Sequence, residues 1–268
     1  MDISIARLQP DDREVLTIRQ AAKEGAQSRG SFLLCRPIGQ EATRTAAMYR
    51  VISERLSREG CDVWRFDYHG TGDSPGEEQD QTLMAWQQDL LAVHAHAQSQ
   101  TQGPVHWFGM GLGANLALKA ANRAHTPPKA VVVWEPVLNG QVYVQALLNG
   151  HRDELAREFG YSWSQLKQQA RAWEPQLPGD VLGFDYGPAL SQELMQLETL
   201  PLAPALRRGI QVICALQPED RSAMEGHLSS RHLHWHSVET QTDWMSSQAM
   251  GAAIVPSDAL RILLEALN

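Results

Sequence analysis

The chain has 268 residues, of which 43% are hydrophobic and 20% are charged, so it can bury a sizeable core. Its 31 acidic residues outnumber the 23 basic ones and give a net charge of −8. This excess argues against a general nucleic-acid or anionic-membrane binder, which needs a basic face. No apolar run approaches the roughly 20 residues of a membrane span. Three scattered cysteines and a start without an apolar signal segment predict a cytoplasmic protein without a metal site.

Strands and helices are predicted to alternate along the first half of the chain. Short apolar runs predict strands at 31–35, 61–66, 104–108 and 129–134. Apolar residues at helical spacing predict helices over the intervening ranges 41–58, 79–98 and 113–124. Near-continuous apolar strands joined by helices are typical of a sheet covered on both faces. The pattern therefore predicts an α/β fold, with a mostly parallel sheet flanked by helices.

The alternation is interrupted at residues 137–190, which are richer in glutamine, arginine and aromatic residues and are punctuated by prolines. We expect this stretch to be a helical insertion, or lid, within a single domain over 1–268. After it, strands are expected at 209–216 and 232–239. Helices are expected at 219–229 and 257–267.

A glycine-dense turn with the sequence WFGMGLGAN joins a predicted strand to a predicted helix at 107–115. One interpretation is a nucleophile elbow, whose strained turn normally presents a catalytic serine where Gly111 stands. The other is a dinucleotide fingerprint, matched by Gly109, Gly111 and Ala114, with Glu135 as the acidic partner of a ribose. Such a fingerprint normally opens the first βαβ unit. Two predicted strands precede this turn, so the elbow is favoured over a nicotinamide-dependent oxidoreductase.

Other segments resemble those of a known family. The loop RFDYHGTGDSPG at 65–76 resembles the strand-end loop of α/β-hydrolases. Further segments, taken with this loop, resemble the second type of exosortase A system-associated hydrolases, a branch of that superfamily. They are CRPIGQE at 35–41, VWEPVLNG at 133–140, LGFDYGPAL at 182–190 and DW at 243–244. The resemblance covers 25–268 and implies an α/β-hydrolase fold and a bacterial protein related to acyl, ester or thioester hydrolases.

The resemblance also assigns positions to a catalytic nucleophile, acid and base. Gly111 stands at the nucleophile position and has no side-chain atom that could form an acyl intermediate. Glu219 and Asp220 stand at the position of the acid. Asp243 stands where the base is expected, and no histidine follows His236 in the sequence. A degenerate elbow is therefore predicted, in a protein that binds a ligand or partner without the usual activity.

An oxyanion-binding pocket is still expected at the elbow. Its donors would be the backbone N–H of Leu112 and a second N–H from Arg36 or Ile38. Arg36 would add positive charge for an acidic ligand. The predicted partner is a small acyl-type molecule or a protein, without a cofactor, and an oligomer is left open.

A working hydrolase or acyltransferase with a shifted catalytic set remains an alternative. Its nucleophile would be Cys35, at the end of a predicted strand, or Ser74, with His69 in the same loop as its base. Structural roles are favoured for all three residues, because free cysteines are commonly buried and loop serines and histidines commonly hydrogen-bond the backbone.

Overall fold

A computed structural model describes residues 2–160, 164–165, 168, 179–198, 200–226, 228–238 and 256–267. Ten strands lie in these residues: β1 (Ile3–Leu8), β2 (Val15–Gln20), β3 (Ser31–Cys35), β4 (Asp62–Asp67), β5 (Val105–Met110), β6 (Ala130–Trp134), β7 (Asp180–Val181), β8 (Phe184–Asp185), β9 (Gln211–Leu216) and β10 (Leu233–Ser237). Eight of them form one sheet in the order β1-β2-β4-β3-β5-β6-β9-β10, and β7 pairs with β8.

The described part of the chain contains eight α-helices. They are α1 (Gly39–Arg58), α2 (Leu83–Gln100), α3 (Leu112–Ala121), α4 (Gly140–Phe159), α5 (Pro188–Met195), α6 (Leu202–Arg207), α7 (Pro218–Glu225) and α8 (Ser257–Glu265). A short 3-10 helix, Glu78–Asp80, precedes α2.

The predicted α/β fold is confirmed. Strands β3, β4, β5, β6, β9 and β10 are paired in parallel, and every residue of β3, β5 and β6 is buried. Successive residues of β3 face opposite cores: Leu33 packs with side chains of α2 and α3, whereas Phe32 and Leu34 pack with α1 and α8. Helices therefore cover both faces, which explains the near-continuous apolar runs.

The sequence patterns did not predict the first two strands. β1 and β2 form an antiparallel hairpin, and β2 joins the sheet antiparallel to β4. A bidentate ion pair holds this hairpin to α2: Arg13 Nε and Nη2 each donate a hydrogen bond to the Asp89 carboxylate at 2.8 Å. The Asp89 side chain is completely buried. β4 is therefore an interior strand, paired with β2 on one side and β3 on the other.

Helix boundaries differ from the prediction where caps determine them. α2 begins at Leu83 rather than residue 79, because the Thr82 hydroxyl accepts the N–H of Ala85 at 3.1 Å and caps the helix. The helix predicted at 219–229 begins at Pro218, a residue favoured in a first turn, and ends at Glu225.

Between β6 and β9 the described residues form α4, the β7–β8 hairpin, α5 and α6. The entry to this stretch is fixed by the buried Asn115 of α3. Its side chain accepts the N–H of Val137 at 2.9 Å and donates to the carbonyl of Val137 at 2.8 Å. The interpretation of 137–190 as a lid stays a prediction.

Candidate functional site

The glycine-dense turn joins β5 to α3 through a residue with positive φ. Gly111 caps α3 directly after β5 and has φ 54° and ψ −131°, a conformation that residues with a side chain rarely adopt. Its neighbours allow close packing: a Cβ on Gly109 would lie 2.5 Å from the Gly113 carbonyl, and one on Gly113 would lie 2.5 Å from the Arg36 carbonyl. The three glycines thus bring β3, β5 and α3 together at the carboxyl edge of the sheet.

A carboxylate lies in the space above Gly111. A Cβ built on Gly111 would be 3.0 Å from Glu41 Oε2 and 3.8 Å from Pro37 Cβ. Glu41 is in the first turn of α1, beside the N-terminus of α3, where the helix dipole favours negative charge. No role was predicted for Glu41 from the sequence, although it ends the segment 35–41 that carries the family resemblance. The sequence did contain one indication of a role for Glu41. It lies in the first turn after β3, and because β3 and β5 are parallel neighbours, the turns that follow them lie at the same edge of the sheet.

Two tyrosines, the half-buried Tyr143 and the buried Tyr186, flank this carboxylate. Burial raises the pKa of the Tyr143 phenol, and the negative charge of Glu41 raises it further. The pKa of Tyr186 is raised by the same two causes in the same order. The Tyr186 hydroxyl also lies against the loop before α1, 2.5 Å from the point where a Cβ on Gly39 would stand. Both phenols are therefore protonated at neutral pH and surround the carboxylate with uncharged polar groups.

The predicted oxyanion donors lie beside the elbow. Leu112 is the first residue of α3 and is fully buried, and its N–H meets no acceptor among the described residues. Ile38 is also buried and follows Pro37, which contacts the elbow. An oxyanion site at these two residues stays a prediction, and the Glu41 carboxylate brings a negative charge close to it.

Arg36 is engaged elsewhere. Its guanidinium forms an ion pair with Asp67 and donates to the carbonyl of Ala42 at 3.1 Å. Asp67 also accepts the N–H of Asp73 at 3.1 Å, so the pair connects the loops that follow β3 and β4. The expectation that Arg36 offers charge to an acidic ligand is not supported, because this charge is already balanced.

Cys35 does not have the environment of a nucleophile. It is completely buried, and burial raises the pKa of its thiol far above the usual range. Cys61 and Cys214 are also buried, and burial raises the pKa of each thiol to about 12. Because the thiolate is the reactive form, these cysteines are unreactive at neutral pH.

Ser74 and His69 hold the hairpin and the loop after β4 together. The Ser74 hydroxyl donates to the carbonyl of Asp67 at 2.6 Å and accepts the N–H of Leu16 at 2.8 Å. His69 Nδ1 accepts the N–H of Glu14 at 2.9 Å. These bonds join residues 55 and 58 positions apart, and neither side chain is among the atoms nearest to Gly111.

The predicted acid positions lie on the first turn of α7, where Glu219 and Asp220 are exposed. Asp243, the predicted base position, is outside the described residues. Glu135, directly after β6, is a half-buried carboxylate in this region. It accepts from Trp134 Nε1 at 3.0 Å and from the Gln217 side chain.

Glu135 is also strained, and its carboxyl has an altered acidity. Its backbone has φ 40°, a value that costs about 1–3 kcal/mol in a residue with a side chain. Burial raises the pKa of its carboxyl, although the hydrogen bonds from Gln217 and Trp134 oppose this. These contacts occupy the oxygens that a dinucleotide ribose would need, and Glu41 covers Gly111. The dinucleotide fingerprint is therefore not supported.

No group of three or more histidine, cysteine, aspartate or glutamate side chains is arranged to hold a metal ion in the described parts of the chain. His236 Nε2 lies 2.9 Å from a carboxylate oxygen of Glu265 in α8. Within the same residues, no helix is both long enough and apolar enough to cross a membrane.

The sequence of this chain matches a known family. A family model described as serine aminopeptidase, S33, matches residues 41–177, more than half of the chain. The chain belongs to this α/β-hydrolase family. No curated protein sequence matches it.

Solved structures agree with the α/β-hydrolase fold. Est1E from Butyrivibrio proteoclasticus, solved with ferulic acid, is 14% identical with a TM-score of 0.64, over 98% of this chain and 99% of that one. A proline iminopeptidase from Mycobacterium smegmatis is 12% identical with a TM-score of 0.61, over 98% and 97%. A hydrolase described as putative, from Agrobacterium vitis S4, is 18% identical with a TM-score of 0.57, over 100% and 99%. At these identities the likeness concerns the fold alone.

Proposed function

We propose that this α/β-hydrolase homologue does not hydrolyse esters, and instead binds a small ligand or a protein partner. One observation carries the proposal: Gly111 occupies the centre of the elbow, and the Glu41 carboxylate lies 3.0 Å from where its Cβ would stand. Gly111 has no atom that could be acylated. The side chains of Cys35 and Ser74, which were the alternatives, are engaged in the core and in backbone hydrogen bonds.

The charge of Glu41 opposes the usual chemistry as well. Acyl transfer places negative charge on the carbonyl oxygen at the N-terminus of the elbow helix. Two like charges about 4 Å apart repel by roughly 1–4 kcal/mol at effective dielectric constants of about 80 to 20. Such a repulsion slows a reaction by about 5-fold to about 1,000-fold. The site is therefore unsuited to esters even if water replaces the missing nucleophile.

The finer family placement is also a proposal: membership in the exosortase A system-associated branch, second type. It is supported by the contact between two segments that carry the resemblance, because Gly39 of the first packs against Tyr186 of the second. The net charge of −8 supports a small molecule or protein, rather than nucleic acid, as partner. The three free cysteines, Cys35, Cys61 and Cys214, support a cytoplasmic location. A crystal structure of another branch member should show the same tyrosine against the same glycine.

The proposed lack of hydrolysis is tested with a fluorophosphonate probe and with p-nitrophenyl acetate and butyrate. We expect no labelling and no turnover above the buffer rate. Gly111→Ser is expected to remain inactive, because the groups nearest to that position belong to Glu41 and Pro37. Turnover of about 1 per second or more would overturn the proposal. Its loss in Ser74→Ala would then identify the shifted catalytic set.

A further inference from the structure

A cleft of about 770 Å³ lies beside the elbow, between the start of α4, the 3-10 helix, the β7–β8 hairpin and α5. This volume is within the range of about 300–1,000 Å³ that is usual for small-molecule sites. Tyr186 separates the cleft from the elbow. It lines the cleft, and its hydroxyl faces Gly39 in the first turn of α1, the turn that also carries Glu41. The cleft is thus adjacent to the degenerate elbow and distinct from it.

The cleft exposes more apolar than polar surface, and the polar side chains that line it are neutral or acidic. Its long polar side chains are four amides and two carboxylates, contributed by Gln79, Gln141, Gln192, Gln196, Asp80 and Asp185. The described lining contains no lysine, arginine or histidine. Anionic ligands, such as fatty acids and phosphate esters, would meet like charge without a compensating cation.

These groups suit a ligand that both donates and accepts hydrogen bonds. A glutamine offers two N–H donors and a carbonyl acceptor, and an ionised aspartate only accepts. A hydroxyl group both donates and accepts, so neighbouring hydroxyls can be bound by one amide or one carboxylate. The larger, apolar part of the lining includes Tyr186, Pro188 and Met195, and the C–H face of a sugar ring can pack against it. A compact amine would use the carboxylates but leave most of the amides without partners.

The cleft is held open by close backbone packing around α5. A Cβ on Gly187 would collide with the carbonyl of Gln79, and one on Gly140 would collide with the carbonyl of Leu194. The N–H of Gly140 also donates to the carbonyl of Leu197 at 2.8 Å. These contacts fix α5 against the 3-10 helix and α4, so a ligand would bind with little reorganisation.

We infer that this cleft binds an uncharged, polyhydroxylated ligand of the saccharide class. The inference rests on the proposed function, because it gives the protein a bound ligand in this cleft and no reaction at Gly111. Gln192 and Gln196 are one helical turn apart at the end of α5 and face the same cleft, so they form its central pair of amides.

The test screens an array of neutral, acidic and amino oligosaccharides with the full chain. Calorimetry then compares the best neutral oligosaccharide with its closest acidic counterpart and with spermidine. We expect the neutral ligand to bind at least about tenfold more tightly than either. The double variant Gln192→Ala/Gln196→Ala should lose at least about tenfold in affinity. Gln145→Ala, an exposed glutamine of α4 outside the cleft, is the matched control and should bind as the wild type does.

Three results would overturn the inference: no neutral oligosaccharide bound at about 10 mM, tighter binding of the acidic sugar or spermidine, or unchanged affinity in the double variant. Ester turnover by a protein that still binds the neutral ligand in its cleft would instead overturn the proposed function alone. Measuring ester hydrolysis and ligand binding on the same preparation therefore distinguishes failure of the ligand inference from failure of the proposed function.

Discussion

The Glu41 carboxylate lies 3.0 Å from the point at which a Cβ on Gly111 would stand. The first turn of α1 thereby fills the space that a nucleophilic side chain would enter from the end of β5. The turn has φ 54° at Gly111, although Gly111 has no nucleophilic side chain for the turn to present. A glycine holds this conformation with less strain than a serine does, so the turn is stable without a catalytic role.

Gly111→Ser is expected to lower the free energy of unfolding by about 1 kcal/mol or more, because a side chain is strained at this φ and crowds Glu41. Urea denaturation measures the loss. Gly209→Ser is the control, since Gly209 also has positive φ (73°) but has open space around a Cβ. A smaller loss at Gly111 than at Gly209 would show that Glu41 does not crowd the position. Adding Glu41→Ala to Gly111→Ser should restore part of the lost stability.

Asn115→Ala should destabilise the fold by about 2–4 kcal/mol, because it leaves the buried N–H and carbonyl of Val137 without partners. Asn122→Ala is the comparison: Asn122 is partly buried and donates one bond, at 3.1 Å, to the carbonyl of Pro201. We expect this second change to cost about 1 kcal/mol. Equal losses in urea denaturation would contradict the role given to Asn115 as the anchor of the chain after β6.

Arg13→Met should cost about 3–5 kcal/mol, since it leaves the completely buried Asp89 carboxylate without its cation. Arg7→Met is the matched control. Arg7 pairs with Glu14 at 2.7 Å, but its side chain is 67% exposed, so about 0–1 kcal/mol is expected. Thermal and urea unfolding of the two variants would show whether the hairpin depends on the buried pair. Similar losses would rule that out.

His106 should make the protein less stable as the pH falls. Burial lowers the pKa of its imidazole from 6.5 to about 4, with smaller contributions from Lys129 and Arg29. Neither ring nitrogen has a hydrogen-bond partner among the described residues. Because the folded-state pKa is the lower one, the stabilisation is complete above pH 6.5 and is lost as the pH falls towards 4. The loss is roughly 3 kcal/mol for a difference of about 2.5 pH units.

His106→Phe should remove this part of the pH dependence, because a phenyl ring can stack on Phe32 as the imidazole does, at 5.1 Å between centroids. Urea denaturation at pH 7 and pH 4.5 measures the difference. The exposed His125 provides the control variant His125→Phe, which should keep the wild-type pH dependence. An unchanged slope in His106→Phe would mean that other groups account for the acid sensitivity.

Short-range patterns determined much of the architecture. The apolar run of β3 was predicted at its observed bounds, Ser31–Cys35, because a strand buried on both faces needs apolar residues throughout. The glycines at 109, 111 and 113 indicated an elbow, since only residues without a Cβ fit so close a turn. The sequence also showed that residue 111 has no nucleophilic atom. Each of these properties depends on the conformation and burial of a few neighbouring residues.

Tertiary structure alone decided how those pieces combine into a site. Arg36 and Asp67 are 31 positions apart, and Arg13 and Asp89 are 76 apart, yet each pair forms an ion pair. The position of Glu41 above Gly111 likewise depends on how β3 and β5 pair, and the β1–β2 hairpin depends on pairing with β4. No local pattern specifies such contacts, because the sequence around a charged residue in a first turn does not show whether its side chain faces water or another turn of the protein. Only the packing of distant elements determines which one it meets.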